Sequence, residues 1–177
     1  MTTIPLTIRL AGPDDAAAVA AFGERSFRET FGPDNEPDDM DAYCAATYAI
    51  DRQRQELTAP DRVTLLAQME GDLAGYAQLR DGPAPASVTG VDPIELLRFY
   101  VDRRWHGQGV ARTLMAETFA RARALGRATI YLAVWERNAR AIAFYRKVGF
   151  REVGAQPFQL GKDTQTDQVM MRGLEDG

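Results

Sequence analysis

The segment Trp105-His106-Gly107-Gln108-Gly109-Val110-Ala111-Arg112 has the residue types to hold an anion. Gly107, Gly109 and the small Ala111 let backbone N–H groups approach a ligand closely. A helix predicted to start there would turn the positive end of its dipole toward that ligand. Arg103, Arg104 and Arg112 flank the segment. Two nucleotide readings fail on the same residues. A dinucleotide fingerprint needs another glycine spacing and more βα units, and a P-loop needs a Gly-Lys-Ser/Thr that is absent. On the glycines alone, an anion site and an ordinary tight turn remain equal alternatives.

Other chemistries are excluded by count. The chain has one His, one Cys and two Ser. One imidazole and one thiol cannot build a multi-His or Cys-cluster zinc site, so no metal is expected. Neither Ser26 nor Ser87 sits in the strand–turn–helix setting of a nucleophile elbow. Cys44 lies on the apolar face of a predicted helix with no His near it in sequence, which favours packing over an acyl-enzyme. A net charge of −4 over 177 residues argues against a nucleic-acid partner. Residues 1–90 carry 7 basic and 15 acidic side chains, whereas residues 91–177 carry 14 and 10. That split suits two ligands of opposite charge, against the alternative of a random division over a solvated surface. The N-terminus lacks a signal-peptide pattern, and no apolar run approaches the roughly 18 residues of a membrane span. With a lone cysteine, these features predict a cytoplasmic protein with no membrane partner.

The length suits one domain spanning residues 1–177. Periodicity predicts a first strand at Thr7–Leu10 and a helix capped by Asp14 and Asp15 that runs to about Glu29. A second helix is opened by Asp38, Asp39 and Asp41. A hairpin follows from Arg62–Met69 and Leu73–Leu79, then a Pro-rich loop to Pro93. From Ile94 the pattern alternates: strand Ile94–Val101, helix Gly109–Leu125, strand Thr129–Val134, helix Asn138–Val148. Two closing strands are expected near Arg151–Leu160 and Gln165–Arg172. An α/β fold with a mixed sheet and helices on both faces follows.

The segment Glu95–Phe150 resembles the core of the GNAT family of N-acetyltransferases. Leu97-Arg98-Phe99-Tyr100-Val101 followed by His106-Gly107-Gln108-Gly109-Val110-Ala111 is similar to the family's strand and acetyl-CoA loop, with His106 where Gln or Arg is usual. The stretch from Leu132 through Asn138, Tyr145 and Lys147 to Gly149-Phe150 resembles the family's second motif closely. Phe27–Phe31 with the acids after it, Val134-Trp135-Glu136, and the tail Gly161–Asp167 are similar to the PaiA-type spermidine/spermine N-acetyltransferases.

The resemblance implies a mostly antiparallel sheet whose two central strands splay to admit acetyl-CoA as cosubstrate. It places Phe99, Tyr100 and Val101 along the pantetheine arm, paired through backbone groups as with an added strand. His106, Gly107, Gln108, Gly109, Val110, Ala111 and Arg112 fall at the pyrophosphate, Asn138 at the arm, and Lys147 within reach of the phosphates. Tyr145 is implied as the group that meets the departing thiolate, and it also belongs to the cofactor site. By composition alone Tyr145 would be a core aromatic. Glu95 stands at the register where some family members carry a catalytic Glu; a strand-end carboxylate paired with Arg98 is the alternative. Asp34, Glu36, Asp38, Asp39 and Asp41 fall on the acceptor side, with Gln165 and Asp167 as further amine contacts; a solvated helix cap competes for the run. The implied activity is direct acetyl transfer to a primary amine, with a polyamine first. A protein N-terminus, another small amine, or a non-catalytic acyl-CoA-binding module are the alternatives. The assembly is open between monomer and homodimer.

Overall fold

A two-residue turn, Glu70 at φ 55° and Gly71 at φ 88°, folds strand β2 (Arg62–Met69) onto β3 (Asp72–Arg80) in the computed structural model, which describes residues 5–175. Two successive left-handed residues match the twist of a hairpin, so the turn fixes the pairing of Met69 with Asp72. β1 (Leu6–Leu10) adds to β2, and β4 (Pro93–Val101) adds to β3, all antiparallel. β5 (Thr129–Trp135), β7 (Asp163–Gly173) and β6 (Arg151–Leu160) complete a sheet of order β1-β2-β3-β4-β5-β7-β6.

The two halves of this sheet meet at its one parallel pairing among the described residues, between β4 and β5. It is short: Pro93, Ile94 and Glu95 pair with Thr129, Ile130 and Tyr131, and no further pair forms. Just beyond, Leu97 is an extra residue in β4, left without a partner where Gln78 pairs with Arg98 and Leu79 with Leu96. A bulge bends the strand that carries it, and here the bend coincides with the divergence from β5. Leu97 to Val101 stay partly exposed in the middle of a seven-stranded sheet.

Helices cover both faces. α4 (Val110–Ala124) and α5 (Ala139–Lys147) lie on one, where Leu114, Met115, Ile142 and Tyr145 join Leu96, Ile130, Leu132 and Met170 in the main core. α1 (Ala16–Phe31), α2 (Pro37–Thr47) and α3 (Ile50–Thr58) lie on the other, burying Val19, Phe22, Phe27 and Met40 against Leu66, Tyr76 and Leu160. Cys44 is buried in that second layer, and burial pushes its thiol above the usual range, as packing requires.

The expected elements are present with small shifts of boundary, but α3 was not expected. It carries polar residues on its buried face: Gln53 and Glu56. Glu56 receives Arg98 Nη1 at 2.5 Å and lies 3.0 Å from Arg52 Nε and 3.1 Å from Arg62 Nη1. The alternative pairing of Arg98 with Glu95 is therefore corrected. Arg98 bonds Glu56 and Gln78, while Glu95 sits opposite Arg80 in the register and pairs with it.

Candidate active site

Three local devices shape the divergent seam between β4 and β5. The first is the turn after β4. Gly107 at φ 78° and Gly109 at φ 85° both occupy the left-handed region, where a side chain is strained. Space for a Cβ is open at both, so the glycines serve backbone conformation rather than close packing. Gly109 is the N-cap of α4 and offers no side chain, which leaves the first N–H groups of the helix without an internal partner. His106 Nε2–H donates to the Val101 carbonyl at 2.9 Å, and Gln108 Nε2 donates to Arg104 O at 2.8 Å. Both side chains thus brace the turn. The departure from Gln or Arg at position 106 has a structural use: it ties the turn to the end of β4.

The second device is α5, pinned at both ends. Asn138 Oδ1 accepts from Ala141 N at 3.2 Å as N-cap, which leaves its amide nitrogen to donate elsewhere. At the other end Gly149 at φ 95° reverses the chain, and Phe150 N donates to Tyr145 O at 3.0 Å. Between these clamps Tyr145 is fixed by Phe99 at 6.4 Å and Phe150 at 5.7 Å between ring centroids, both edge-on. Its ring is buried, and burial, with Tyr100 adding to it, raises the phenol well above its ordinary value. The hydroxyl makes no hydrogen bond among the described residues and is not among the sealed, unpartnered polar atoms, so it reaches accessible space.

The third device is a groove of about 500 Å³ between α4, the end of α5 and β7. Arg112, Lys147 and Arg172 line it with no carboxylate among the lining residues. Arg172 was not anticipated as a site residue. Its Nη1 donates to Val148 O at 2.6 Å, its guanidinium lies 4.3 Å over the Phe119 ring, and burial, with Arg123 nearby, lowers its pKa. Phe99, Val101, Asn138, Tyr145 and the glycine turn thus border one seam, with Arg112 and Lys147 in the adjoining groove. The Tyr100 side chain points to the opposite face, where its hydroxyl lies 3.0 Å from that of Tyr48, and its carbonyl lies against Gly75 of β3, so the structure does not bring Tyr100 to the seam.

Glu95 lies across the sheet from Tyr145. It lines a cavity of about 330 Å³ with Tyr131, Ala133, Gln156 and Val169. Arg80 Nε (2.8 Å) and Nη2 (2.5 Å) both contact its Oε2, leaving Oε1 to the cavity. Of the acidic run, Asp39 accepts from Lys162 N at 3.1 Å and Asp41 from Arg28 at 2.8 Å. Asp34, Glu36 and Asp38 remain exposed. Among the described residues no group of three His, Cys, Asp or Glu could hold a metal ion, and no helix is long and apolar enough to cross a membrane.

Known proteins share this fold. The Acetyltransferase (GNAT) family profile matches residues 24–150. An uncharacterized N-acetyltransferase of Mycobacterium tuberculosis is 34% identical over 161 residues, 90% of this chain and 98% of its own. The spermine/spermidine N(1)-acetyltransferase of Bacillus subtilis is 30% identical over 90 residues, 50% of this chain and 59% of its own. The crystal structure of the PaiA N-acetyltransferase of Thermoplasma acidophilum in complex with coenzyme A superposes with a TM-score of 0.78, at 18% identity, over 96% of this chain and 99% of that one.

Proposed function

This chain belongs to the acetyltransferase (GNAT) family and is an acetyl-CoA-dependent N-acetyltransferase, and within that class we propose direct transfer to a primary amine of a polyamine. The observation that carries the mechanism is the seam. A sheet interior with one strand edge unpaired, ending at a glycine turn with free N–H groups, fits an extended amide-bearing arm that ends in phosphates. When bound, acetyl-CoA supplies an activated acetyl carbon and a thiolate leaving group. The edge of β4 at Phe99 and Val101 holds the arm, and the Asn138 amide nitrogen donates to it. The N–H groups from Gly109 to Arg112 take the pyrophosphate, and Arg112, Lys147 and Arg172 offset the remaining phosphate charge. Tyr145 donates a hydrogen bond to the sulfur as it departs. Glu95, its Oε2 held by Arg80, uses Oε1 to take the amine's proton through water. Polyamine specificity draws support from the exposed acids Asp34, Glu36 and Asp38 and from the partial likeness to the Bacillus enzyme.

Thiol release from acetyl-CoA with spermidine, spermine, a monoamine and a short peptide, run in parallel, tests this reading. Turnover with the polyamines is expected, and raising ionic strength should weaken a polyamine more than a monoamine. Turnover with the peptide alone would sink the polyamine assignment. Gly109→Val supplies a second test. A branched side chain at φ 85° costs about 1–2 kcal/mol of backbone strain, so the turn moves and acetyl-CoA affinity by calorimetry should drop at least about tenfold. Unchanged affinity would take the turn out of the site.

A further inference from the structure

Asp167 is a carboxylate that the fold leaves without a donor. It is 7% exposed, Oδ1 is sealed from solvent, and no hydrogen bond reaches either oxygen among the described residues. Burial pushes the carboxyl up to about 6, with Glu136 adding to the effect. Two residues earlier on the same face of β7, Gln165 repeats the pattern. Its Nε2 donates to Asn35 and, at 3.0 Å, to Asp163, and its Oε1 is buried with no donor. Two side chains whose Cα atoms are about 7 Å apart by strand geometry, each with an unpaired acceptor oxygen, call for a ligand rich in N–H donors. Trp135, paired directly opposite Asp167, packs tilted at 5.1 Å between ring centroids against Phe31, so the wall beside the carboxylate is aromatic. Such a wall suits an alkylammonium.

Position decides which ammonium. β5 stands between β7 and the seam, so Asp167 lies about two strand spacings, roughly 10 Å, from where the reacting amine must sit. It is too far to be the base. A cavity of about 330 Å³ opens on the same sheet face: Glu95 and Gln156 both line it, and Gln156 is the register partner of Asp167, which lies beside the cavity rather than on its lining. Asp34 and Glu36 flank Asn35 beside Gln165.

We propose that Asp167 and Gln165 form an anchor for the distal ammonium of a linear diamine or polyamine, whose other end reacts at the seam. The anchor rests on the acetyltransferase reading and narrows it to acceptors with two charges about 10 Å apart. Such a site works as a ruler. Linear α,ω-diamines of about seven or eight carbons should be preferred over shorter ones and over monoalkylamines of equal length.

The test is kcat/KM for diamines of increasing length and matched monoamines, with the native protein, Asp167→Asn and Gln165→Leu. In Asp167→Asn the diamine-to-monoamine ratio should fall about 30- to 100-fold, the loss of a charge-assisted hydrogen bond. Gln165→Leu should lower it less. Asp167→Asn should also melt about 5 °C higher at pH 8, because a neutral amide escapes the penalty of a buried, unpaired charge. An unchanged ratio, or a variant that melts lower, would overturn the anchor. If no amine is acetylated, calorimetry of 1,8-diaminooctane separates the two ideas. Binding lost in Asp167→Asn keeps the anchor and removes only the acetyl-transfer reading, whereas absent or variant-insensitive binding removes the anchor.

Discussion

Tyr145→Phe is expected to lower kcat about 30- to 100-fold while acetyl-CoA affinity stays within about twofold. The phenol is buried and its pKa is raised, so it stays protonated at any working pH. An ordinary tyrosine is already a weaker acid than a thiol by about two kcal/mol, and the upward shift widens that gap. Tyr145 therefore acts by donating a hydrogen bond to the thiolate rather than by giving up its proton, and the expected loss is that of one bond to a charged acceptor. Because the hydroxyl has no partner among the described residues, the variant should melt within a few degrees of the parent. Its pH–rate profile should keep its shape, since no limb belongs to the phenol. Equal turnover in stopped-flow acetyl transfer would remove Tyr145 from the chemistry, and a large loss of cofactor affinity would make it a binding group instead.

The second large effect is on stability. Glu56→Gln should cost about 3–5 kcal/mol and lower Tm by about 10 °C at pH 7, because it leaves three arginines facing a neutral amide in a buried site. The Glu56 side chain is 5% exposed. Burial pushes its carboxyl up, but the Arg98 hydrogen bond and charge, with Arg52 and Arg62, bring it below its ordinary value. A carboxyl depressed in the folded state adds stability above its unfolded pKa, here 4.5, and loses it as pH falls below that value through the folded one. The gap between parent and variant should thus be full at pH 7 and shrink below about pH 4.5. Thermal melts across that range check both size and sign; a constant gap would mean that the loss comes from packing.

The same helix shows what the residue pattern could not convey. α3 reads as a polar segment because its buried positions are Gln53, which donates to Thr47 O, and Glu56, whose shortest partner is Arg98, forty-two residues on and in another element. The glycine turn and the Asn138–Phe150 stretch were legible because their chemistry is local: a left-handed φ, an N-cap and a helix stop each depend on neighbours in sequence. The bulge at Leu97 left no trace in composition, since any apolar residue can be the extra one. Arg172 reads as an ordinary strand residue, and Asp167 enters only as an amine contact implied by the family likeness. What distinguishes them, a groove lined without a carboxylate for Arg172 and a sealed oxygen without a donor for Asp167, is a property of the assembled face.

The seam between β4 and β5 also bears on the life of the protein in a cell. A chain whose sheet is finished only by its cosubstrate carries a built-in reporter of that cosubstrate's supply. The free form exposes backbone that proteases and neighbouring chains can pair with, and the loaded form hides it. Occupancy at a hundred times Kd adds about 2.7 kcal/mol to the folded state, enough to change the fraction of unfolded chains about a hundredfold.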